Sequence, residues 1–496
     1  MSWTFYGRSS EVDSLRTVAN RGRWFFLRIS GRRRIGKTTL VRQALLNRPA
    51  AFAARPTSPP IYLQIPDSDP TGVVTTARDF LELFGVNDAL PVSLRGLATT
   101  IGRLAERGHV VILDEFQYFH RKALFEFTSQ LQAEVDRLAA KADRVPGGLI
   151  VLGSLHTEMT ALLEDRDAPL YQRVTDSIEL GHLEPAALLE MLEAHADASP
   201  RRLLFLWNLF EGVPKFFRDC HEHGALAADR RTLLAKMFFS DASPLRHEAA
   251  HWFLGELRGR YDLILKYIAR RPGSTNAELL NHVRAVEPGH EAQIGGYLKV
   301  LDEKYRMVDR LQPIFGKPST RKARFYVRDN FLRAWLAALQ LPVASQQFRP
   351  IEELLDLADA RLADAEGHGL ERLAALLYSE RSRLRLSDFR LTRRIEGYWD
   401  RGDTEIDLVA ADEESRRLRF CTVKRSSEKL VDSLPVLRGH VARFLERMPR
   451  FRTWRHEFAA IAPQLDAAAR RAIASAGFLA EDLGDLTRGM GKTAAR

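Results

Sequence analysis

Cysteine is nearly absent from this chain: Cys220 and Cys421 are the two present, far apart in sequence. Neither a disulfide framework nor a cysteine-based zinc site can be built from them, and both read as small buried hydrophobes. No run of about 18 apolar residues occurs, so no membrane-spanning helix is expected. The chain opens on a short polar segment instead of a basic-then-apolar leader, which makes a cytoplasmic protein without membrane partners the expectation. What is present is apolar material, 45% of 496 residues, enough for several cores, and about three or four domains are expected. A net charge of +10, with pI near 9.6, sets up a field that attracts polyanions, or reflects an arginine-rich solvated surface.

Along the chain, Trp24–Ser30 reads as a buried strand that enters a glycine-bounded loop, with a helix over Thr38–Leu46. Strand-length apolar runs at Ile61–Ile65, Val110–Leu113, Leu149–Leu152 and Ser177–Leu180 alternate with helical patterns at Ala77–Phe84 and Leu124–Leu138. That alternation predicts an α/β unit with a parallel sheet. After Leu183 helical periodicity takes over, at Leu188–Ala194, Leu203–Phe210 and Arg231–Phe239, predicting a helical lid. Short helices at Tyr261–Ala269, Asn276–Val283 and Ala292–Lys304, then strands at Met307–Leu311 and Ala323–Val327, follow the order of a winged helix. A polar helical connector over Gln346–Asp364 leads to a second mixed α/β region. It has a helix at Gly369–Tyr378, strands at Phe389–Tyr398, Glu405–Ala410, Leu418–Lys424 and His456–Ile461, and helices at Glu428–Leu445 and Leu465–Ala476. The expected division is 1–183 α/β core, 184–255 lid, 256–343 winged helix, 344–365 connector, 366–484 terminal α/β domain and 485–496 frayed tail.

Gly31-Arg32-Arg33-Arg34-Ile35-Gly36-Lys37-Thr38-Thr39 has Walker A spacing between a predicted strand and a predicted helix. Glycines let backbone N–H groups turn inward around phosphates, the helix N-terminus adds partial positive charge, Lys37 reaches the outer phosphates, and Thr38 offers a hydroxyl to Mg²⁺. Asp114 and Glu115 close the apolar strand Val110–Leu113, where the first carboxylate would hold the magnesium and the second would orient or activate the attacking water.

Phe5-Tyr6-Gly7-Arg8 with Glu11, the P-loop, Leu113–Gln117, Gly153-Ser154, Leu170–Arg173, Gly212–Lys215 and Tyr326–Leu332 together resemble the archaeal-type ATPase family, a branch of the STAND and AAA+ ATPases. The resemblance runs over nearly the whole chain. It implies ATP and Mg²⁺ as ligands, with Gly31, Arg34, Gly36, Lys37, Thr38 and Thr39 around the phosphates. Ser154 resembles a γ-phosphate sensor, or serves as a helix cap. Arg173 resembles an arginine finger aimed at a neighbour's nucleotide, or is an ordinary sheet-edge arginine. Pro214 resembles the lid proline that packs on adenine, with Lys215 beside it, and Tyr6 to Arg8 resembles the N-terminal adenine-side segment.

Around the predicted wing, Arg306, Arg310, Lys317, Arg321, Lys322 and Arg324 face only Asp309, a basic patch suited to a DNA or RNA backbone. Winged helices of STAND proteins also serve as packing modules, and that reading stands beside the first. Gly295-Gly296 in the third helix weakens it as a base-reading element. In the terminal region Glu371, Asp407 and Lys424 resemble a restriction-endonuclease-like, PD-(D/E)xK arrangement, except that Thr422 stands where a metal-binding glutamate is expected. Asp403, Glu405 or Glu371 are the carboxylates placed to take over that role. A remodelled, non-cleaving module that binds nucleic acid or protein fits this substitution better than an active nuclease; Lys424 also reads as a solvated strand-end lysine. The combined expectation is an ATP-binding, slowly hydrolysing switch, in a homo-oligomer or with a protein partner. The alternatives are an ATPase-gated nuclease and a DNA-binding regulator with a structural nucleotide site.

Overall fold

The structure, a computed structural model, describes the chain apart from residues 1–2, 48–57, 89, 155, 247, 249–260, 318–321, 401, 403 and 492–496. It divides into two compact units: Arg8–His182, and Met1–Gly7 together with Leu183–Arg496.

The first unit runs α1 (Ser9–Ala19), β1 (Phe26–Gly31), α2 (Lys37–Val41), β2 (Ile61–Gln64), α3 (Pro70–Leu83), α4 (Leu94–Glu106), β3 (Val110–Asp114), α5 (Glu126–Ala139), β4 (Gly148–Leu152), α6 (His156–Leu163) and β5 (Asp176–Leu180). All five strands pair in parallel, in the order β2-β3-β4-β1-β5. β3 and β4 are buried at every position, as unbroken apolar runs flanked by strands on both sides must be; β5, at the edge, alternates. α2 continues as a wider π-type turn over Arg42–Leu46. α3 starts earlier than its apolar pattern predicts, because Asp69 caps Gly72 N and Pro70 takes the first helical position. α4, absent from the sequence reading, is capped by Ser93 and buries Leu94, Leu97, Ile101 and Leu104.

The second unit continues with α7 (Pro185–His195), α8 (Pro200–Phe210), α9 (Pro214–Glu222), α10 (Arg230–Leu234), α11 (Tyr261–Arg270), β6 (Ser274–Thr275), α12 (Asn276–Val286), α13 (Ile294–Lys299), β7 (Val308–Leu311), β8 (Arg324–Val327), α14 (Asn330–Ala334) and α15 (Gln340–Ala344). β6, β8 and β7 form an antiparallel sheet in that order. Then come α16 (Ile351–Arg383), β9 (Glu396–Trp399), β10 (Glu405–Asp412), β11 (Arg417–Val423), α17 (Ser427–Arg447), β12 (Arg455–Ala462), α18 (Ala467–Ser475), β13 (Leu479–Asp482) and α19 (Leu483–Thr487). The sheet order is β13-β12-β11-β10-β9, parallel from β11 to β13 and antiparallel from β9 to β11.

Three expectations need correction here. The connector and the following helix are one 33-residue helix, α16, so no break exists near residue 366. Gly369 serves packing: a Cβ there would clash with the Asn208 side-chain amide. The strand expected from Phe389 is confined to Glu396–Trp399, and Phe389 instead lies under the guanidinium groups of Arg417 and Arg419, at 4.9 and 4.8 Å. The expected tail is ordered at its start: α19 is closed by a reciprocal Asp482–Asp485 capping box, and Met490 is fully buried. Among the described residues no helix is long and apolar enough to cross a membrane.

Candidate functional site

β1 delivers the chain into the glycine-bounded loop and α2 receives it. Gly31 has φ 142°, and a Cβ there would lie 2.7 Å from the Leu180 carbonyl oxygen, so glycine lets the loop leave β1 beside the end of β5. Gly36 at φ 97° and Arg34 at φ 63° complete a left-handed turn that leads into the helix start, where first-turn N–H groups lack intrahelical partners. Ile35 is fully buried beneath the loop, and Thr39 is exposed.

The Lys37 ammonium is almost enclosed and donates to the carbonyl oxygens of Gly31 at 2.8 Å and Arg32 at 3.1 Å. Burial pulls its pKa down to about 8, against the attraction of Glu115 and Asp114. A phosphate oxygen is a stronger acceptor than either carbonyl for such a group. Thr38 Oγ1 donates to Asp114 Oδ2 at 2.6 Å, and the Tyr62 hydroxyl, from β2, donates to the same oxygen at 2.7 Å. Asp114 Oδ1 accepts the Glu115 N–H at 2.8 Å. Burial, and then Asp114, push the Tyr62 hydroxyl pKa up, so it stays a donor. A hydroxyl and a carboxylate in contact are hard oxygen donors that fit Mg²⁺ and leave its other positions to water and phosphate.

Glu115 follows Asp114 in a left-handed conformation, φ 58°. Gln117, on the 3₁₀ turn Phe116–His120 and only 3% exposed, donates its amide N–H to Glu115 Oε2. Its Oε1 accepts the Ser154 N–H at 3.3 Å. Ser154 therefore enters this network through its backbone. In the sequence Gln117 is only the end of the motif Leu113–Gln117, with no role of its own, since only the turn after β3 folds the amide back onto the carboxylate.

Arg8 caps α1 at φ 60° and donates to Ile35 O at 3.2 Å and Gly181 O at 2.7 Å, with Glu11 as its ion-pair partner at 3.1 Å. It thus braces the phosphate loop against the chain leaving β5. Arg173 forms a two-pronged pair with Asp136, at 2.8 and 3.0 Å, and donates to Tyr171 O at 3.0 Å. Tyr6 and Pro214 belong to the second unit, where the Tyr6 hydroxyl bonds His195 Nε2 at 2.6 Å and Pro214 opens α9.

In that second unit a separate polar cluster forms. Asp407 Oδ2, on β10, accepts Lys424 Nζ at 2.8 Å, Val423 N at 2.7 Å and Thr422 Oγ1 at 3.3 Å. Glu371, recessed on α16, has its carboxyl pKa raised by burial and then by Asp407. Asp403 lies outside the described residues. A cleft of about 1390 Å³ adjoins the cluster, bordered by Arg201, Arg230, Lys424, Arg425 and Lys429. Of the expected basic patch, Arg306, Arg310 and Lys317 are exposed and Lys322 is half-buried. Arg324 is turned instead onto Glu405 at 2.6 Å and over the Trp399 ring at 4.7 Å, because the hairpin abuts β9 and β10. Arg321 lies outside the described residues.

The first unit is a mixed α/β fold in which a strand, a glycine-bounded loop and a helix follow one another at β1 and α2. Its five-stranded parallel sheet sets β4 between the P-loop strand β1 and the acidic strand β3. No family model matches the chain. Over 432 residues, 85% of this chain and 87% of the relative, it is 23% identical to an uncharacterised protein of Methanocaldococcus jannaschii. The structure is similar to a Walker-type ATPase of Pyrococcus abyssi, 18% identical, covering 67% of this chain and 96% of that one with TM-score 0.48. It is also similar to the ORC2 protein of Aeropyrum pernix in its ADPNP–ADP complexes, 18% identical, covering 72% and 94% with TM-score 0.45.

Proposed function

We propose that the chain is an ATP-binding, slowly hydrolysing switch of the AAA+ and STAND kind, whose nucleotide state controls what its second unit binds. The observation that carries this reading is the convergence of Lys37, Thr38 and Asp114 from a strand-to-helix loop after β1 and the end of β3, one strand removed, with Thr38 Oγ1 and Asp114 Oδ2 2.6 Å apart. In this reading Gly31, Arg34 and Gly36 shape the phosphate cradle and Lys37 neutralises the outer phosphates. Thr38 and Asp114 hold Mg²⁺, which supplies charge neutralisation on the phosphates. Glu115 accepts a proton from the attacking water. Arg173 acts on a neighbouring copy's nucleotide once it leaves Asp136, which requires assembly. We read the second unit as lid, winged helix and nuclease-like module, in a cytosolic protein.

Lys37→Ala should abolish binding of a fluorescent ATP analogue, whereas Glu115→Gln should keep that binding and stop phosphate release. Equal turnover in wild type and Glu115→Gln would remove Glu115 from the mechanism. No nucleotide binding by the wild type would end the reading altogether.

A second reading rests on Asp407. Its Oδ2 is taken by Lys424, Val423 N and Thr422, and in the nuclease-like reading Thr422 stands where a metal-binding glutamate is expected. A neutral hydroxyl does not offset the charge of a hard divalent cation. The module therefore serves to bind nucleic acid or a protein and does not cut.

A further inference from the structure

A general base on a long side chain needs a third group to hold it, and the first unit contains one. Glu115 has three rotatable side-chain bonds and follows β3 in a left-handed backbone conformation, φ 58° with ψ 38°. Left alone, such a carboxylate samples many rotamers, whereas proton transfer demands one position relative to the water. Gln117 supplies the restraint from both of its ends. Its Nε2 donates to Glu115 Oε2, and its Oε1 is held by the Ser154 N–H at 3.3 Å, just past the end of β4. The amide is 3% exposed, so water does not compete for these bonds, and a swing outward would leave polar atoms buried without partners. Gly153 keeps the arrangement tight: a Cβ there would lie 3.0 Å from Gln117 Oε1 and still nearer to Met159.

We infer that Gln117 is a positioning residue for ATP hydrolysis, fixing the Glu115 carboxylate against the backbone at the end of β4. This rests on the ATPase reading. The amide never touches nucleotide in this role; it acts through Glu115 alone. Since Ser154 N–H anchors its far end, a displacement of the loop after β4 is passed to the base through a single side chain.

The test compares Gln117→Leu, which removes both bonds, with Gln117→Glu, which keeps an acceptor for Ser154 N–H but loses the donor to Glu115. Both variants should lower kcat at least about tenfold, within the range that a general base contributes, with KM for ATP, nucleotide affinity and melting temperature unchanged. Adding Gln117→Leu to Glu115→Gln should cause no further loss, a result that a merely structural role would not give. If Gln117→Glu unfolds, the Gln117→Leu pair and its double variant carry the test. An unchanged or raised kcat in folded Gln117→Leu overturns the inference, as does a further loss in the double variant or a wild type that binds ATP without turnover. Failure of the wild type to bind ATP at all overturns the nucleotide reading instead, so the two failures are told apart.

Discussion

At the level of single residues, the proposed nucleotide site divides its side chains into groups that would face the ligand and groups that support them. Tyr62 is a supporting group: its hydroxyl shares Asp114 Oδ2 with Thr38 and fixes the orientation of that carboxylate. Tyr62→Phe removes one buried donor and keeps the ring. By the usual net worth of a hydrogen bond to a charged group, about 1.5–3 kcal/mol, Mg²⁺-ATP should bind roughly ten- to a hundredfold more weakly. Titration calorimetry with Mg²⁺ and again with EDTA would check this, because the difference should vanish once the metal is removed. Equal loss under both conditions would assign Tyr62 to the phosphate loop's stability and not to Asp114. Much of this arrangement was legible in the sequence, since Lys37 and Thr38 end a glycine-bounded loop and Asp114 closes an apolar strand, and the structure brings the Thr38 hydroxyl onto Asp114. Tyr62 and Gln117 were not, because a tyrosine in an apolar strand and a glutamine in a turn acquire meaning only from which residue faces them. Arg8, expected on the adenine side, has its guanidinium held by the carbonyl oxygens of Ile35 and Gly181 and by Glu11.

Among elements, α16 dominates the second unit. Three of its residues tie distant parts of the chain together. Arg372 donates to Asn330 Oδ1 at 2.8 Å and to Glu211 Oε1 at 3.2 Å, Gly369 lets Asn208 approach, and Glu380 accepts the Ala186 N–H at the start of α7. Periodicity could not reveal its length, because the polar stretch over Gln346–Asp364 and the more apolar stretch over Gly369–Tyr378 read as separate elements. Glu380 gives the element a measurable signature. Burial, and then Glu184, raise its pKa to about 7 from an ordinary value of 4.5, while the Ala186 N–H opposes the shift. A carboxyl whose pKa is raised by folding binds its proton more tightly in the native state. Its stabilising contribution is therefore complete below pH 4.5 and disappears as pH rises through 7, a change of about 3 kcal/mol. Glu380→Gln, which mimics the protonated form, should flatten the fall in melting temperature between pH 5 and pH 8. An identical slope in wild type and variant would show that Glu380 does not titrate across this range.

For the whole molecule, the sequence-level division into an α/β unit followed by helices and a second mixed sheet follows from where strand-length apolar runs stop, after Leu180. Short elements escaped it: α4 because its apolar stripe is broken by glycine and threonine, β13 and α19 because few residues there are apolar. The function of the terminal sheet depends on the chemistry around Asp407. Incubated with single- and double-stranded DNA or RNA and Mg²⁺ or Mn²⁺, wild type and Asp407→Ala should leave the substrates equally intact. Cleavage by the wild type that Asp407→Ala abolishes would make the module an active nuclease.

Cys220, on α9, and Cys421, on β11, are both fully enclosed, and burial raises each thiol pKa, that of Cys421 to about 12. Thiolate is the reactive species, so an alkylating reagent added to the native protein reports the rate at which each neighbourhood breathes open. Because one sulfur sits among helices and the other in the terminal sheet, mass-resolved labelling reads two regions of the same molecule separately, without any engineered probe.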